Sequence, residues 1–232
     1  MEQQEWNKID QWDWKEFTLL LFVEFVIVIG VIKFVLKPLF NNWFSNELYS
    51  GTLLGLMMAI VLLVAVYLIA LRPQKLSWAE VGVTRFSIKD WKLIFAYSFI
   101  LLVGAVIIMF ITTLIGNTWD NSKTESLQQN VTLLSVLVAF ISAAVISPIY
   151  EEIFYRGFLY RWLRIRLGLT GGLIISAFIF TIVHVPTYNV MPVNFFSGLI
   201  FALAYERTNS IWPAVFIHGI TNGIMVLLTS FL

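Results

Sequence analysis

The chain has 232 residues, 59% of them hydrophobic and only 12% charged, with a formal net charge of +1 and no cysteine. An ordinary soluble domain is about 25% charged, so the composition points to an all-α, polytopic bundle of membrane helices in contact with lipid. The near-zero net charge gives no ground for a nucleic-acid partner, and the missing thiols exclude cysteine nucleophiles, disulfides and thiolate metal sites.

Residues 1–16 are polar and carry Glu2, Glu5, Asp10, Asp13 and Glu16 where a signal peptide would carry basic residues. The first apolar segment is therefore expected to stay in the mature protein, and Trp6, Trp12 and Trp14 could form a short interfacial helix before it. A helix that crosses a bilayer needs roughly 20 apolar residues. Seven spans are predicted, with six and eight as bounds, over residues 17–35, 51–71, 91–115, 131–161, 171–185, 193–205 and 211–232. Trp43, Trp78, Trp91, Trp119, Trp162 and Trp212 fall near span ends, where indoles anchor at the interface. Lys8 and Lys15, then Arg72, Lys75, Arg85, Lys89 and Lys92, then Arg161, Arg164 and Arg166, then Arg207 share one side, with Lys123 opposite. By the positive-inside rule the N-terminus is expected in the cytoplasm. Lys33 and Lys37 break the pattern and read as snorkelling side chains. Short loops and high apolar content suggest a bacterial plasma membrane. No internal repeat is visible. Residues 17–130 hold three spans and their loops, and residues 131–232 hold the polar motifs.

Those motifs carry the functional signal, because ionisable groups at membrane depth are costly and usually functional. Glu151 and Glu152 follow Pro148, which removes a backbone donor and can kink the helix. Glu152 and Arg156 are i, i+4 neighbours and can pair on one face. Glu151 points about 100° away, where a carboxylate suits proton transfer. The bland reading is a helix end whose acids meet water. His184 lies one turn after Phe180 and alone reads as a packing histidine before Pro186. His218 and Asn222 share a face and could donate together to one oxygen, or act as an interhelical clamp. Together the three segments supply a base, its partner and oxyanion donors, the inventory for hydrolysis by an activated water.

Glu-Glu-x-x-x-Arg (151–156), Phe-x-x-x-His (180–184) and His-x-x-x-Asn (218–222), in this order, resemble the CAAX protease and bacteriocin-processing (CPBP, or Abi) family of intramembrane proteases. The resemblance covers about residues 133–232, and the tract 76–84 is similar to a stretch that often precedes the core. It implies a helical bundle around a polar catalytic cavity. In it Glu151 would activate water with His184, His218 and Asn222 would hold the oxyanion, and Glu152 and Arg156 would support them. The substrate would be a membrane-presented peptide or protein of CAAX, leader-peptide or signalling-peptide type. His184, His218 and Glu151 could alternatively ligate Zn²⁺ with water in the fourth position. The His-Glu-x-x-His pattern of soluble zinc proteases is absent, and the metal-free reading is favoured. The rivals are a non-catalytic bacteriocin-immunity or scaffold protein, and a small proton-coupled transporter. Among the other polar residues, Glu24 could line a cavity or pair with Lys33 or a neighbouring helix, with a structural role favoured. Asn194 and Glu206 are expected at solvated span ends. Thr181 and Thr221 are expected to bond their own helices, and Ser142, Ser147 and Ser176 to serve as small packing residues.

Overall fold

The structure, a computed structural model, describes residues 11–44, 46–116, 118, 122–129 and 131–231. Glu2, Glu5, Trp6, Lys8, Asp10, Trp119 and Asp120 lie outside the described residues, as does the side chain of Lys123. Three long apolar helices come first: α1 (Trp14–Asn41), α2 (Glu47–Leu71) and α3 (Ile88–Leu114). A short α4 (Ser122–Gln128) follows. The run Leu133–Ile182 is helical throughout except at Gly168, where φ is +70° and ψ −176°. This backbone is open to glycine and strained for any residue with a Cβ. It divides the run into two arms, α5 (133–167) and α6 (169–182). Helices α7 (Tyr188–Thr208) and α8 (Ile211–Phe231) complete the bundle.

Among the described residues six helical runs are long and apolar enough to cross a membrane. The expected fourth and fifth spans are the two arms of one of them. The arms fold back on each other, since the rings of Tyr155 and Phe180 meet at 5.2 Å. A straight helix would hold those residues roughly 37 Å apart at its 1.5 Å rise. Along α3, Phe95, Phe99, Val106, Phe110 and Leu114 are each more than 60% exposed. A continuous apolar stripe of this kind belongs against lipid rather than water. The chain is an integral membrane protein, a polytopic helical bundle.

Several expectations about polar and aromatic residues are corrected by packing. Trp12 is 1% exposed, donates from Nε1 to Ala70 O at 2.8 Å and packs on Phe158. The segment before α1 is thus tucked against α2 and α5 instead of lying at an interface, although Trp14 is exposed. Trp162 is buried and stacked on Phe17 at 3.8 Å, so it is a packing residue and not an interfacial anchor. Arg161 and Arg164, expected in a loop, lie on α5. Arg161 binds the carboxylate and the carbonyl of Glu80, and Arg164 pairs with Glu206 at 2.9 Å. Glu206 also accepts from Tyr160 Oη at 2.5 Å, so it is no solvated span end. Asn194 is no simple solvated end either, since its Nδ2 is buried without a hydrogen-bond partner among the described residues. Thr181 and Thr221 do bond their own helices, to Ala177 O and to Ile217 O.

The tract 76–84 connects the N-terminal helices to the core. Its tight turn Trp78–Val81 lies so close to α5 that a Cβ on Gly157 would come within 2.2 Å of Val81 O. Beyond the turn, Gly82 O accepts from Ile211 N at 2.9 Å and Thr84 O accepts from Ser210 Oγ at 2.7 Å. The tract therefore ties the middle of α5 to the start of α8. Gly157→Ala is expected to push that tie apart and lower stability by about 1–3 kcal/mol, the usual cost of overpacking. Thermal unfolding in detergent against wild type checks it.

Candidate active site

Helix α5 brings Ser147, Glu151, Glu152, Tyr155 and Arg156 to the centre of the bundle. It does not break at Pro148. A wider π-helical stretch, Ile141–Ile146, precedes the proline and accommodates its missing donor. A second π stretch, Ile153–Tyr160, follows the glutamates and is buried at every position. Such insertions rotate the faces of a helix and recur at functional sites.

Glu152 is fully buried (0% exposed) and is the junction of the site. Its Oε1 accepts from His218 Nδ1 at 2.9 Å and from Arg156 Nη1 at 3.3 Å, and its Oε2 lies 3.1 Å from Arg156 Nε. The other end of the guanidinium donates from Nη2 to Gly198 O on α7 at 3.2 Å. Its plane lies over the rings of Phe180, at 4.3 Å, and Phe201, at 5.1 Å. Charges taken out of water need this degree of pairing to persist. The i, i+4 pair expected from sequence is present, with His218 as a third member.

Phe180 on α6 links this cluster to the other histidine. His184 lies just past the end of α6, and its Nδ1 is 2.6 Å from Phe180 O. A carbonyl can only accept, so Nδ1 carries a hydrogen, and in the neutral ring Nε2 carries the lone pair. The Phe180 ring meets His184 at 4.8 Å and His218 at 6.2 Å, while His218 stacks on Phe201 at 4.6 Å. Glu151 lies on a different face of α5 from Glu152. Its Oε1 accepts from Ser147 Oγ, and it is an electrostatic neighbour of Arg156 and Glu24. Ser147 is thus more than a packing residue. Ser142, near Gly55, and Ser176, bonded to Leu173 O, show only the contacts expected of small residues in helices. Asn222 lies one turn beyond His218, but its Nδ2 donates to Ala143 O at 3.0 Å on α5 and not to the Glu152 cluster. Between them a Cβ on Gly219 would sit 2.4 Å from Ala144 O, so α5 and α8 touch backbone to backbone here.

Three contributors were not read as site residues in the sequence. Tyr155 donates from Oη to Glu24 Oε1 at 2.8 Å. Lys33 donates from Nζ to Val183 O at 2.5 Å and Val185 O at 3.1 Å, the carbonyls on either side of His184, rather than snorkelling to an interface. Glu24 is 2% exposed, and its place in an apolar span was the one sequence signal for it. Among the described residues no three His, Asp or Glu side chains are grouped to hold a metal ion. The Nδ1 atoms of both histidines are committed, to Phe180 O and to Glu152. Such Nδ1 contacts orient an imidazole equally well for base chemistry or for ligation through Nε2.

Residues 133–224 match the family described as Type II CAAX prenyl endopeptidase Rce1-like. The match is confined to this C-terminal stretch. The matched stretch holds all three motifs. The "Membrane-embedded CAAX protease MroQ" of Staphylococcus aureus (strain USA300) is 26% identical over 163 residues, covering 67% of this chain and 63% of that protein. The "Putative membrane peptidase YdiL" of Bacillus subtilis (strain 168) is 30% identical over 94 residues, covering 40% of this chain and 38% of that protein. The chain thus spans less than two thirds of the length of either curated relative. No solved structure matches it.

The matched stretch rests on a buried charge pair, and that has a measurable signature. Arg156→Leu strands the Glu152 carboxylate and is expected to cost about 3–5 kcal/mol, whereas the double variant Glu152→Leu/Arg156→Leu costs less than the sum of the two single changes. A double-mutant cycle on detergent unfolding reads the difference.

Proposed function

We propose that the chain is an intramembrane endopeptidase that hydrolyses a peptide bond of a membrane-presented peptide or protein, of CAAX, leader-peptide or signalling-peptide type. Glu151 takes a proton from water, with His184 assisting through Nε2. The water oxygen attacks the scissile carbonyl carbon, and the proton passes to the leaving amine. His218 and Asn222 donate to the carbonyl oxygen as it becomes an oxyanion. Nδ1 of His218 donates to Glu152, so a second donation from Nε2 requires hydrogen on both ring nitrogens, with Glu152 as the counter-charge. Asn222 Nδ2 has two hydrogens, one spent on Ala143 O. Glu152 and Arg156 hold this geometry.

The observation that carries the reading is the convergence of three motif segments on the Glu152–Arg156–His218 cluster and the Phe180 ring. An apolar cavity of about 300 Å³ between α5 and α8, walled by Phe140, Ala144, Ile149, Val215 and Gly219 among others, agrees with an apolar segment approaching beside the site. The basic residues expected on one side of the spans favour a cytoplasmic N-terminus in a bacterial plasma membrane.

The test is cleavage of an internally quenched peptide library by purified protein in detergent. Glu151→Gln and His184→Ala are each expected to lower turnover by roughly 10²–10⁴-fold, the usual worth of a general base. Chelator should leave wild-type activity intact. Loss in chelator with recovery on adding Zn²⁺ would contradict the metal-free chemistry. Equal activity in all three proteins would favour a scaffold or transporter.

A further inference from the structure

We infer that α1, which lies outside the matched core, is a strap that positions His184, with Lys33 and Glu24 as its two positioning residues; this rests on the catalytic reading of His184 above.

His184 needs such support. It follows the last turn of α6, where a helix leaves its final carbonyls without internal partners. The backbone hydrogen bonds of this turn use the carbonyls of Ile179, Thr181, Ile182 and His184 itself. The carbonyls of Val183 and Val185 are taken by Lys33 Nζ, from 150 and 152 residues away in sequence. An ammonium at a helix C-terminus meets both the orphan oxygens and the negative end of the helix dipole. Val183 O lies in the peptide plane just before the histidine and Val185 O in the plane one residue beyond it, so one cation on α1 pins the backbone on both sides of residue 184.

Glu24 acts on the same turn by a second route. Its Oε1 fixes the Tyr155 hydroxyl at 2.8 Å, in a setting where Glu24 is 2% exposed and Tyr155 is buried. The Tyr155 ring packs edge-on against Phe180 at 5.2 Å. Phe180 in turn supplies the carbonyl that orients His184 Nδ1, at 2.6 Å. Both ionisable side chains in the apolar stretch 17–35 of α1 thus lead to the orientation of one imidazole. A buried acid and a lysine nine positions apart in a lipid-embedded helix are costly unless they do such work.

The chain has only two histidines, which allows a direct readout. Protein labelled with ¹⁵N-histidine in detergent micelles gives two imidazole signal sets, assigned with His184→Ala. Lys33→Met and Glu24→Leu are expected to shift or broaden the His184 signals and leave those of His218 in place. Lys33→Arg and Glu24→Gln, which keep a donor and an acceptor, should shift them less. On the best-cleaved member of the peptide library the two removing variants should lower kcat by about tenfold to a hundredfold with KM changed less than about twofold, as for a misplaced catalytic group. If either removing variant fails to fold, its conservative partner and the other site decide. Folded variants with wild-type His184 signals and kcat would overturn the strap and leave the protease reading intact. Cleavage that survives Glu151→Gln would instead remove the protease reading, while the imidazole signals still judge the strap.

Discussion

The structure depends on one buried carboxylate. Glu152 is removed from solvent and answered by Arg156 from its own helix and His218 from α8. A charge at that depth persists only when it is paired and hydrogen-bonded, so its partners have little freedom. Arg156 is held between Glu152, Gly198 O and two phenyl faces, which draws α6 and α7 to α5. His218 is held between Glu152 and the Phe201 ring, which draws in α8. A set of apolar helices could slide against each other with little penalty. The buried cluster selects one arrangement.

Two glycine features make that arrangement reachable. The positive φ at Gly168 lets 169–182 return along 133–167, so that Phe180 meets Tyr155 and Arg156. The absent side chain at Gly219 lets α8 approach the Ala144 carbonyl closely enough for the His218–Glu152 bond. Fold and site are set together here: a larger residue at either position would move a motif segment as well as a helix. The tract 76–84 adds a brace from outside the core, bonded to the start of α8 and seated on Gly157.

The site was more legible in the sequence than the packing around it. Acids and histidines inside apolar segments stand out because hydrocarbon makes them expensive, and the Glu152–Arg156 pair follows from helical spacing alone. The third partner, His218, does not, since it comes from a segment 66 residues away. The two-armed run 133–182 was read as two spans with a basic connection. Hydropathy falls at Arg161, Arg164 and Arg166 whether the chain unwinds there or stays helical and pairs them with Glu80 and Glu206. Lys33 looked like an interfacial side chain for the same reason. Nothing local shows that its partners are carbonyls near residue 184. Long-range pairing, not helix formation, is what the pattern of residues leaves open.

The central claim is that Glu152 holds α5 and α8 together at the site, and the absence of native cysteine makes it measurable. A Cβ at position 223 lies 3.4 Å from Ala144 Cβ, about the spacing that a disulfide spans. The measurement is the rate of cross-linking in Ala144→Cys/Gly223→Cys under mild oxidation, with and without Glu152→Leu. Fast cross-linking in the first protein and clearly slower cross-linking in the second is the expected result. Equal rates in both, or no cross-link in either, would contradict it.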